Sequence, residues 1–490
     1  MRIKITLAAV LMAALMSEAA AQEYDTCLVG IHQAESEYYS GIADTETRHF
    51  ASSPETPSVL KGRNAGTLTH KVFGWHPYWA ASTAHLYYDY DALSHIAYFS
   101  YEVDTATGGY STLRGWDTTP IIGYAHQRGV KVMLTVTNFG SARNTEILTD
   151  TVKQWTLINT VISQLQSRNG DGVNFDFESV PAAQKANMVS FCRRAVRGIK
   201  AVLPAAEISL ATPAVNWSDG WDLGTLAGIC DYIIMMGYNY YWSGSTTAGP
   251  VAPVSGETYH VVRSINEDYL ADGVPPGKLL LGVPWYGYDW PVVSSERKAA
   301  TTGTGSSRTY IKALELVAGN TRVFDDLTGV PYVNYQTTQW RQMWYDDSTS
   351  LQMKSNIAKD MNLAGIGIWA LSYEAGRPEL WKGLKTAFLE NYTSSGGNPM
   401  ADPEGNLQII PNPVTDMSVI NYTISRRSRV TLRIYDTEGR LTAALADRVM
   451  DPGTYTETID SGTLAQGIYI CILQTRSGRS AIKFAAIKSK

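Results

Sequence analysis

The sequence predicts an α/β protein whose main domain is a (β/α)8 barrel of the TIM type. Short apolar runs alternate with longer helical stretches, the pattern of parallel βα units. Eight such runs fall within about 300 residues, which suits a closed barrel better than an open sheet. In chain order, the strand candidates are 72–75, 95–99, 132–136, 172–177, 208–211, 232–236, 279–283 and 365–369. The long gap between strands 7 and 8, roughly 290–360, predicts a small α+β insertion.

The N-terminal segments differ in composition from the barrel, which we place at residues 68–390. Residues 1–21 have the features of a signal peptide. Arg2 and Lys4 precede an apolar run too short to span a bilayer, and an A-x-A cleavage site follows. Residues 22–67 are polar without clear periodicity, so we interpret them as an N-terminal extension or linker.

Two further segments follow the barrel. Residues 391–405 are rich in Ser, Gly, Asn and Pro, as linkers are. Residues 406–490 contain short alternating strands separated by turns, which predicts a small C-terminal β-sandwich.

Charge and cysteine content exclude several classes of function. The 41 basic and 46 acidic residues give a net charge of −5, which offers no electrostatic basis for binding nucleic acid or an anionic membrane. After the signal peptide, no stretch is long and apolar enough to predict a membrane span. The four cysteines show no C-x-x-C spacing, so no zinc site is predicted. A Cys192–Cys230 bridge and two buried free thiols are equally compatible with the sequence.

The segment 171–178 is the strongest candidate for chemistry. Side chains alternate faces along a strand, so Asn174, Asp176 and Glu178 share the face opposite Phe175 and Phe177. In a barrel the polar face points inward, where burying an unpaired carboxylate costs several kcal/mol. Crowded carboxylates also push their pKa values apart, which can keep one acid protonated near neutral pH. From the pattern alone, a half-exposed strand with its polar face in solvent is an equal alternative.

Several motifs, taken in their order along the chain, resemble motifs of glycoside hydrolase family 18, the chitinase family. Residues 171–178 are similar to its D-x-x-D-x-D-x-E signature, with Asn174 at one acidic position. Residues 236–239 resemble its M-x-Y-D motif, residues 284–287 its P-x-Y-G turn and residues 344–347 the run before its last helix. Trp369 resembles the tryptophan of its last strand.

The resemblance implies a retaining glycosidase with no metal or organic cofactor. Glu178 would act as general acid and then as base, and the substrate's own acetamide would be the nucleophile. Asp176 would bind the acetamide N–H, Tyr238 would orient its carbonyl, and Trp369 would lie beneath the sugar. Further substrate contacts are expected from Asn174, Met236, Asn239, Tyr286, Trp75 and Tyr98.

Three departures from the family pattern bear on the substrate. Asn174 replaces an aspartate, and we expect it to donate a hydrogen bond to Asp176 and fix its rotamer. Asn239 replaces the aspartate after the motif tyrosine, and residues 135–139 differ from the usual S-x-G-G. Asn174 and the sequence of residues 135–139 are similar to those of the family branch that includes spore-cortex-lytic N-acetylglucosaminidases.

Tryptophan positions suggest a sugar cleft at the C-terminal rim of the barrel, where active sites of this fold lie. For any single tryptophan, core packing is the more common role, but the set at strand ends favours a cleft. The members of this set are Trp75, Trp79, Trp242, Trp285, Trp290 and Trp369.

The C-terminal domain resembles the sorting domain of the type IX secretion system. The similar parts are residues 410–414, 434–440 and 467–469 and the last strand. The resemblance implies passage through the periplasm and outer membrane to the cell surface or medium, with the secretion machinery as a partner. A purely stabilising β-sandwich is the alternative.

The leading hypothesis is a secreted, monomeric enzyme that cleaves β-1,4-linked N-acetylglucosamine polymers such as chitin. An N-acetylglucosaminidase acting on peptidoglycan or N-glycans by the same chemistry is an alternative. A chitinase-like lectin is a third, but such lectins usually lack the glutamate that this chain has at position 178.

Overall fold

The computed structural model describes a barrel unit and a C-terminal unit of this chain. The described residues are 29–40, 66–390, 392 and, apart from 411–413, 415–416, 425–426, 437–439 and 476–478, residues 407–486. The predicted signal peptide, all but residue 392 of the predicted linker, Cys27 and parts of the sorting motifs lie outside them.

The strands and helices alternate through the barrel unit, and strands alone make up most of the C-terminal unit. The strands are β1 (Lys71–Pro77), β2 (His95–Val103), β3 (Tyr110–Thr112), β4 (Lys131–Phe139), β5 (Gly172–Glu178), β6 (Glu207–Pro213), β7 (Tyr232–Met236), β8 (Leu279–Pro284), β9 (Tyr286–Val292), β10 (Ser306–Thr309), β11 (Arg322–Asp325), β12 (Val330–Gln336), β13 (Trp340–Tyr345), β14 (Gly365–Trp369), β15 (Gln408–Ile410), β16 (Met417–Ile424), β17 (Ser428–Asp436), β18 (Leu441–Met450), β19 (Gly453–Asp460), β20 (Gly467–Gln474) and β21 (Arg479–Ala486). The helices are α1 (Ile31–Tyr39), α2 (Ile121–Gln127), α3 (Ser141–Thr149), α4 (Thr151–Arg168), α5 (Lys185–Val202), α6 (Leu223–Ile229), α7 (Val261–Arg263, continued by a π-helical stretch, Ser264–Leu270), α8 (Tyr310–Val317), α9 (Ser348–Asp360) and α10 (Pro378–Phe388).

Eight parallel strands close into the predicted barrel. Their order is β1, β14, β8, β7, β6, β5, β4 and β2, and β2 pairs with β1 to complete the ring. Each strand candidate from the sequence lies within one of these eight strands, so the predicted fold class is confirmed. Among the described residues, no helix has the length and apolar composition needed to cross a membrane.

Strand β5 is buried along its whole length because both of its faces are covered. On its outer face, the ring of Phe177 stacks on that of Phe191 of α5 at 5.4 Å. The inner face carries the polar residues, as the alternation predicts. Gly172 opens the strand, and a Cβ there would lie 2.0 Å from the backbone oxygen of Glu207, so only glycine allows this approach to β6.

The predicted insertion between barrel strands 7 and 8 is a five-stranded antiparallel sheet in the order β10, β9, β13, β12 and β11, with α8. It begins at Tyr286, two residues after β8 ends. The insertion therefore starts at the C-terminal rim of the barrel.

The C-terminal unit, residues 393–490, contains two antiparallel sheets. One has three strands, β15, β16 and β19, and the other has four, in the order β18, β17, β20 and β21. Ile420 and Tyr422 of the first sheet share one buried core with Leu432, Ile434 and Leu473 of the second. This is the packing expected of a small β-sandwich.

Candidate active site

The inner face of β5 presents three polar side chains at the C-terminal rim of the barrel. Asn174 and Asp176 are fully buried and Glu178 is 5% exposed. Such burial is unusual for carboxylates, which are rarely enclosed unless they are paired or functional. The alternative that the pattern alone left open, a half-exposed β5 with its polar face in solvent, is therefore excluded.

Asn174 forms hydrogen bonds with neighbouring strands. Its Oδ1 accepts from Nε1 of Trp75 at 2.9 Å, and its Nδ2 donates to Oγ of Ser209 at 2.9 Å. The expectation that Asn174 donates to Asp176 is wrong. Ser209 is its direct register partner on β6, whereas Asp176 is two residues further along the same strand. Asn174 instead connects β5 to β1 and β6.

Asp176, Glu178, Tyr238 and Trp369 meet around one side chain from outside the barrel, His32 of α1. Its Nδ1 lies 2.7 Å from Oδ2 of Asp176, and its Nε2 lies 2.7 Å from the hydroxyl of Tyr238. Its ring stacks on Trp369, with centroids 3.6 Å apart and planes inclined by 23°. Nδ1 is also 3.7 Å from Oε1 of Glu178. The four side chains that the sequence singled out thus converge on one point.

Other α1 residues extend this contact along the cleft. Oε2 of Glu35 accepts hydrogen bonds from Nε1 of Trp369 at 2.8 Å and from the hydroxyl of Tyr373 at 2.5 Å. The ring of Tyr39 stacks on that of Trp79 at 5.0 Å with an interplanar angle of 13°. Through these hydrogen bonds and ring contacts, α1 packs against the barrel rim along its length.

Gly30, just before α1, lies against the Glu178 carboxylate. A Cβ built on Gly30 would come within 1.6 Å of Oε2 of Glu178. The φ of Gly30 is −60°, which any residue adopts, so the requirement for glycine here comes from space and not from backbone conformation.

Burial controls the protonation of the site. Burial, followed by the charge of Asp176, raises the pKa of Glu178 well above its usual 4.5, and a hydrogen bond from the Gln33 backbone opposes this rise. Burial, again followed by Asp176, raises the pKa of Tyr238 well above 10. Glu178 can therefore hold a proton to donate near neutral pH, and Tyr238 remains a hydrogen-bond donor.

Three other predicted substrate-contact residues lie near this point. Trp75 is edge-on to Trp369 at 6.0 Å. The hydroxyl of Tyr286 donates to Oδ1 of Asn239 at 2.5 Å, and its ring is 6.0 Å from that of Tyr238.

Met236 ends β7, where alternation puts it on the inward face with Ile234. Ile234 faces the barrel interior, since its Cγ2 is 2.9 Å from a Cβ built on Gly367 of β14. Met236 is half-buried.

Tyr98 is a correction to the predicted set. Its hydroxyl donates to the backbone oxygen of Arg114, and its ring packs near His76 and Trp116. Its neighbour Phe99 faces the site instead, edge-on to Trp369 at 5.0 Å. Adjacent residues of a strand face opposite sides, so Tyr98 and Phe99 cannot both contact the site.

The predicted tryptophan set is only partly correct. Trp75, Trp79 and Trp369 surround the site, but Trp285 packs edge-on against Trp381 of α10 at 4.8 Å. Trp290 is fully buried within the insertion, and its Nε1 donates to the backbone oxygen of Trp242. Trp285 and Trp290 belong to the core and not to a cleft.

His32 and Glu35 were not predicted as site residues, because they lie in the segment interpreted as an extension or linker. A signal was present: His32, Glu35, Ser36 and Tyr39 recur at the three- and four-residue spacing of one helix face. That spacing predicts a helix. It does not predict the surface against which a polar face such as this one packs.

His32, Asp176 and Glu178 form a cluster whose ligand-type atoms all lie within 4.8 Å of one another. Two ligands bound tetrahedrally to zinc at about 2.1 Å would stand roughly 3.4 Å apart. The 2.7 Å between His32 and Asp176 is shorter and matches a hydrogen bond. We therefore interpret this cluster as a hydrogen-bonded group.

Cys192 and Cys230, whose state the sequence left open, are buried free thiols in this structure. The Cys192 thiol forms a hydrogen bond with Cys230, which together with burial raises its pKa. A buried thiol with a raised pKa is a poor nucleophile, so this pair is not part of the reactive site.

Sequence comparisons identify relatives over the barrel. YdhD of Bacillus subtilis (strain 168), which is named as a sporulation-specific glycosylase, is 28% identical over 256 residues, 50% of this chain and 59% of that protein. The cortical fragment-lytic enzyme of Bacillus anthracis is 25% identical over 320 residues, 61% of this chain and 68% of that enzyme. The di-N-acetylchitobiase of Rattus norvegicus is 24% identical over 277 residues, 50% of this chain and 71% of that enzyme. The matched region thus spans less than two thirds of YdhD.

Solved structures share the fold. A family 18 chitinase from Cycas revoluta in complex with (GlcNAc)3 superposes with a TM-score of 0.60 at 19% identity, over 66% of this chain and 99% of that one. The Group IV chitinase of Ostrinia furnacalis gives 0.58 at 18% identity, over 65% and 99%.

Family profiles match both units of the chain. The profile of the glycosyl hydrolases of family 18 matches residues 71–374, well over half of the chain. That of the secretion-system C-terminal sorting domain matches residues 408–488. The chain therefore belongs to glycosyl hydrolase family 18 and carries a C-terminal secretion sorting domain.

Proposed function

We propose that this glycosidase hydrolyses β-1,4-linked N-acetylglucosamine polymers with retention of configuration, using the substrate's acetamide as nucleophile. The observation that carries the proposal is the convergence of Asp176, Glu178, Tyr238 and Trp369 on the single point occupied by His32. A sugar at that point would meet a proton donor, an acetamide-binding pair and an aromatic floor.

Glu178 is the proton donor in this proposal. Its raised pKa keeps a proton available for the glycosidic oxygen as the bond to the anomeric carbon breaks. The acetamide oxygen bonds to that carbon from the opposite face and forms an oxazolinium intermediate. Glu178, now ionised, then takes a proton from the water that opens the intermediate. The product keeps the β configuration because two inversions occur at one carbon.

Asp176 and Tyr238 position the acetamide. The Asp176 carboxylate accepts the acetamide N–H and balances the positive charge that develops on the nitrogen. The Tyr238 hydroxyl donates to the acetamide oxygen and aims it at the anomeric carbon. Such positioning supplies several kcal/mol of the barrier reduction, since it replaces a chance encounter by a fixed geometry. Trp369 holds the apolar face of the sugar.

Peptidoglycan is the second candidate substrate. Asn174, an amide where the family pattern has a carboxylate, and the similarity to cortical fragment-lytic enzymes favour it. The di-N-acetylchitobiases among the relatives favour short chito-oligosaccharides. Both polymers contain β-1,4-linked N-acetylglucosamine, so the same chemistry serves either.

The sorting domain indicates that the enzyme is secreted or displayed at the cell surface. We propose that it crosses the periplasm and outer membrane through the type IX machinery and meets its polymer outside the cell. The presence of Glu178 argues against a purely sugar-binding role.

A substrate screen tests the proposal. Chitin oligomers, peptidoglycan and high-mannose glycans are incubated with the enzyme and with Glu178→Gln, and products are read by mass spectrometry. We expect cleavage after N-acetylglucosamine by the unsubstituted enzyme only. Cleavage of any substrate at the same rate by both proteins would refute the assignment of Glu178.

A further inference from the structure

The cleft described above is filled by the chain's own N-terminal segment. We propose that residues 30–39 are a built-in competitive inhibitor, so that only the fraction of enzyme molecules from which this segment has left the barrel turns over substrate. The inference rests on the proposed function, because it concerns regulation of that same site.

His32 reproduces the recognition features of an N-acetylglucosamine residue. Its flat ring lies on Trp369, where the sugar would stack. In the tautomer that carries hydrogen on Nδ1, it donates to Asp176 and accepts from Tyr238. An acetamide group offers the same pair, an N–H donor and a C=O acceptor. His32 and a sugar therefore compete for one set of partners.

The segment also blocks the proton donor. The Cα of Gly30 lies so close to Glu178 that a single added methyl group would overlap Oε2 at 1.6 Å. Glu178 is only 5% exposed in this arrangement. A glycosidic oxygen must approach within hydrogen-bond distance of that carboxyl, which requires Gly30 to move away.

Glu35 and Tyr39 extend the blockage beyond the reacting sugar. Glu35 occupies the hydrogen-bonding groups of Trp369 and Tyr373, and Tyr39 covers the face of Trp79. An exposed indole face is a natural platform for a neighbouring pyranose ring. The segment thus covers at least two aromatic surfaces that a polymer would need.

The segment is suited to release. Helix α1 has nine residues, fewer than the roughly 12–15 at which isolated helices become marginally stable in water, so its order depends on docking. It is joined to the barrel through residues 41–65, which lie outside the described part of the chain. Because the segment belongs to the same chain as the barrel, its docking is intramolecular. One cut within 41–65 would make docking bimolecular and let α1 diffuse away.

The test pairs each unseating substitution with a matched control in the full-length chain. Gly30→Ala is compared with Gly123→Ala, since a Cβ at Gly123 meets nothing within 4 Å. Glu35→Ala is compared with Glu37→Ala, because Glu37 lies on the same helix but is exposed. Hydrogen exchange of residues 30–39, followed by mass spectrometry, reports seating of the segment without reference to activity.

Hydrolysis of 4-methylumbelliferyl chitobioside reports the consequence of release. We expect Gly30→Ala and Glu35→Ala to exchange rapidly at residues 30–39 and to raise kcat/KM by at least about tenfold, equivalent to about 1.4 kcal/mol of lost docking. The two controls should behave like the unsubstituted enzyme. A synthetic peptide of residues 29–40 should inhibit the Gly30→Ala enzyme by raising KM at constant kcat, and the same peptide with His32→Ala should not.

The outcomes separate this proposal from the proposed function. Fast exchange at residues 30–39 in the unsubstituted enzyme, or fast exchange in Gly30→Ala without a gain in kcat/KM over an active parent, would overturn the inhibitor. If no variant hydrolyses any sugar but the unseated ones bind tri-N-acetylchitotriose more tightly than the parent, the inhibitor stands and the glycosidase proposal fails. If the unseated variants neither bind nor hydrolyse, both fail.

Discussion

Replacing Glu178 by glutamine in the Gly30→Ala chain isolates the role of the proton donor. Glutamine keeps the size and shape of the side chain, so packing against the rim of β5 is preserved. It removes the acidic proton of Glu178, whose pKa the charge of Asp176 raises whether or not the segment is docked. The Gly30→Ala background keeps the N-terminal segment out of the site, so the measured change reports chemistry and not release.

The expected loss follows from what a positioned acid contributes. General acid catalysis is worth roughly 10²–10⁴ in rate, or about 2.7–5.4 kcal/mol of barrier. The effect depends on the leaving group. A sugar alkoxide is a poor leaving group and needs the full proton transfer, whereas a 4-methylumbelliferyl phenolate departs with little help. We therefore expect kcat/KM to fall by a factor near the upper end of this range with a chito-oligosaccharide and near its lower end with the aryl glycoside.

The assay compares kcat/KM for the two substrates in Gly30→Ala with and without Glu178→Gln. Binding of tri-N-acetylchitotriose, measured by calorimetry, should change little, since glutamine retains the steric and hydrogen-bonding outline. An equal loss on both substrates, or loss of binding together with activity, would refute a general-acid role and indicate a structural one.

Three further predictions concern charge at and near the site. Burial and Asp176 raise the pKa of Glu178 above 4.5, so the unsubstituted protein loses stability as pH rises from the unfolded-state value through the folded one. Glu178→Gln should therefore resist urea better at neutral pH, with the gain vanishing below about pH 4.5. Asn174→Asp can still accept from Trp75 and could accept from the Ser209 hydroxyl, to which Asn174 now donates, but it adds a negative charge on the strand face shared with Asp176 and Glu178. The added charge should raise the pKa of Glu178 and move the alkaline limb of the pH–rate profile to higher pH; a limb at unchanged pH would contradict this electrostatic coupling. Lys354 is fully buried beside Asp346, so Lys354→Met should cost about 3–5 kcal/mol in urea unfolding, and adding Asp346→Leu should restore most of that loss.

The barrel was predictable because its strands carry a local signal. Parallel strands buried on both faces are continuous apolar runs, and helical stretches separate them. In strand β5 the alternation predicts which residues share a face, but the pattern alone left a solvent-facing polar side as an equal alternative. The resemblance of residues 171–178 to the family 18 signature is what located Asp176 and Glu178 in the site.

Tyr98 shows why site prediction from strand position can fail. The choice between Tyr98 and Phe99 depends on the parity of β2 at its C-terminal end. The register between β2 and β4 is regular through Tyr98 and Phe99 and shifts only after Phe99, so ordinary alternation puts these two neighbours on opposite faces. Both are aromatic, and the sequence of β2 alone does not say which of the two faces the barrel interior.

His32 shows a second limit. Its partners Asp176, Tyr238 and Trp369 come from β5, the segment after β7, and β14, and lie 144 to 337 residues away in sequence. A nine-residue polar segment carries no sign of the surface that it fits. The contact of this segment with the site can be recognised only in the folded barrel, which brings those partners together.

The proposed mechanism requires the acetamide to act as nucleophile beside Asp176 and Glu178. The most direct measurement is proton NMR of the first product released from tri-N-acetylchitotriose by the Gly30→Ala enzyme, recorded before mutarotation. With an acetamide nucleophile, the β anomer appears first and then decays toward equilibrium. An initial α anomer would mean that water attacks directly, and it would contradict the roles given to Asp176 and Tyr238.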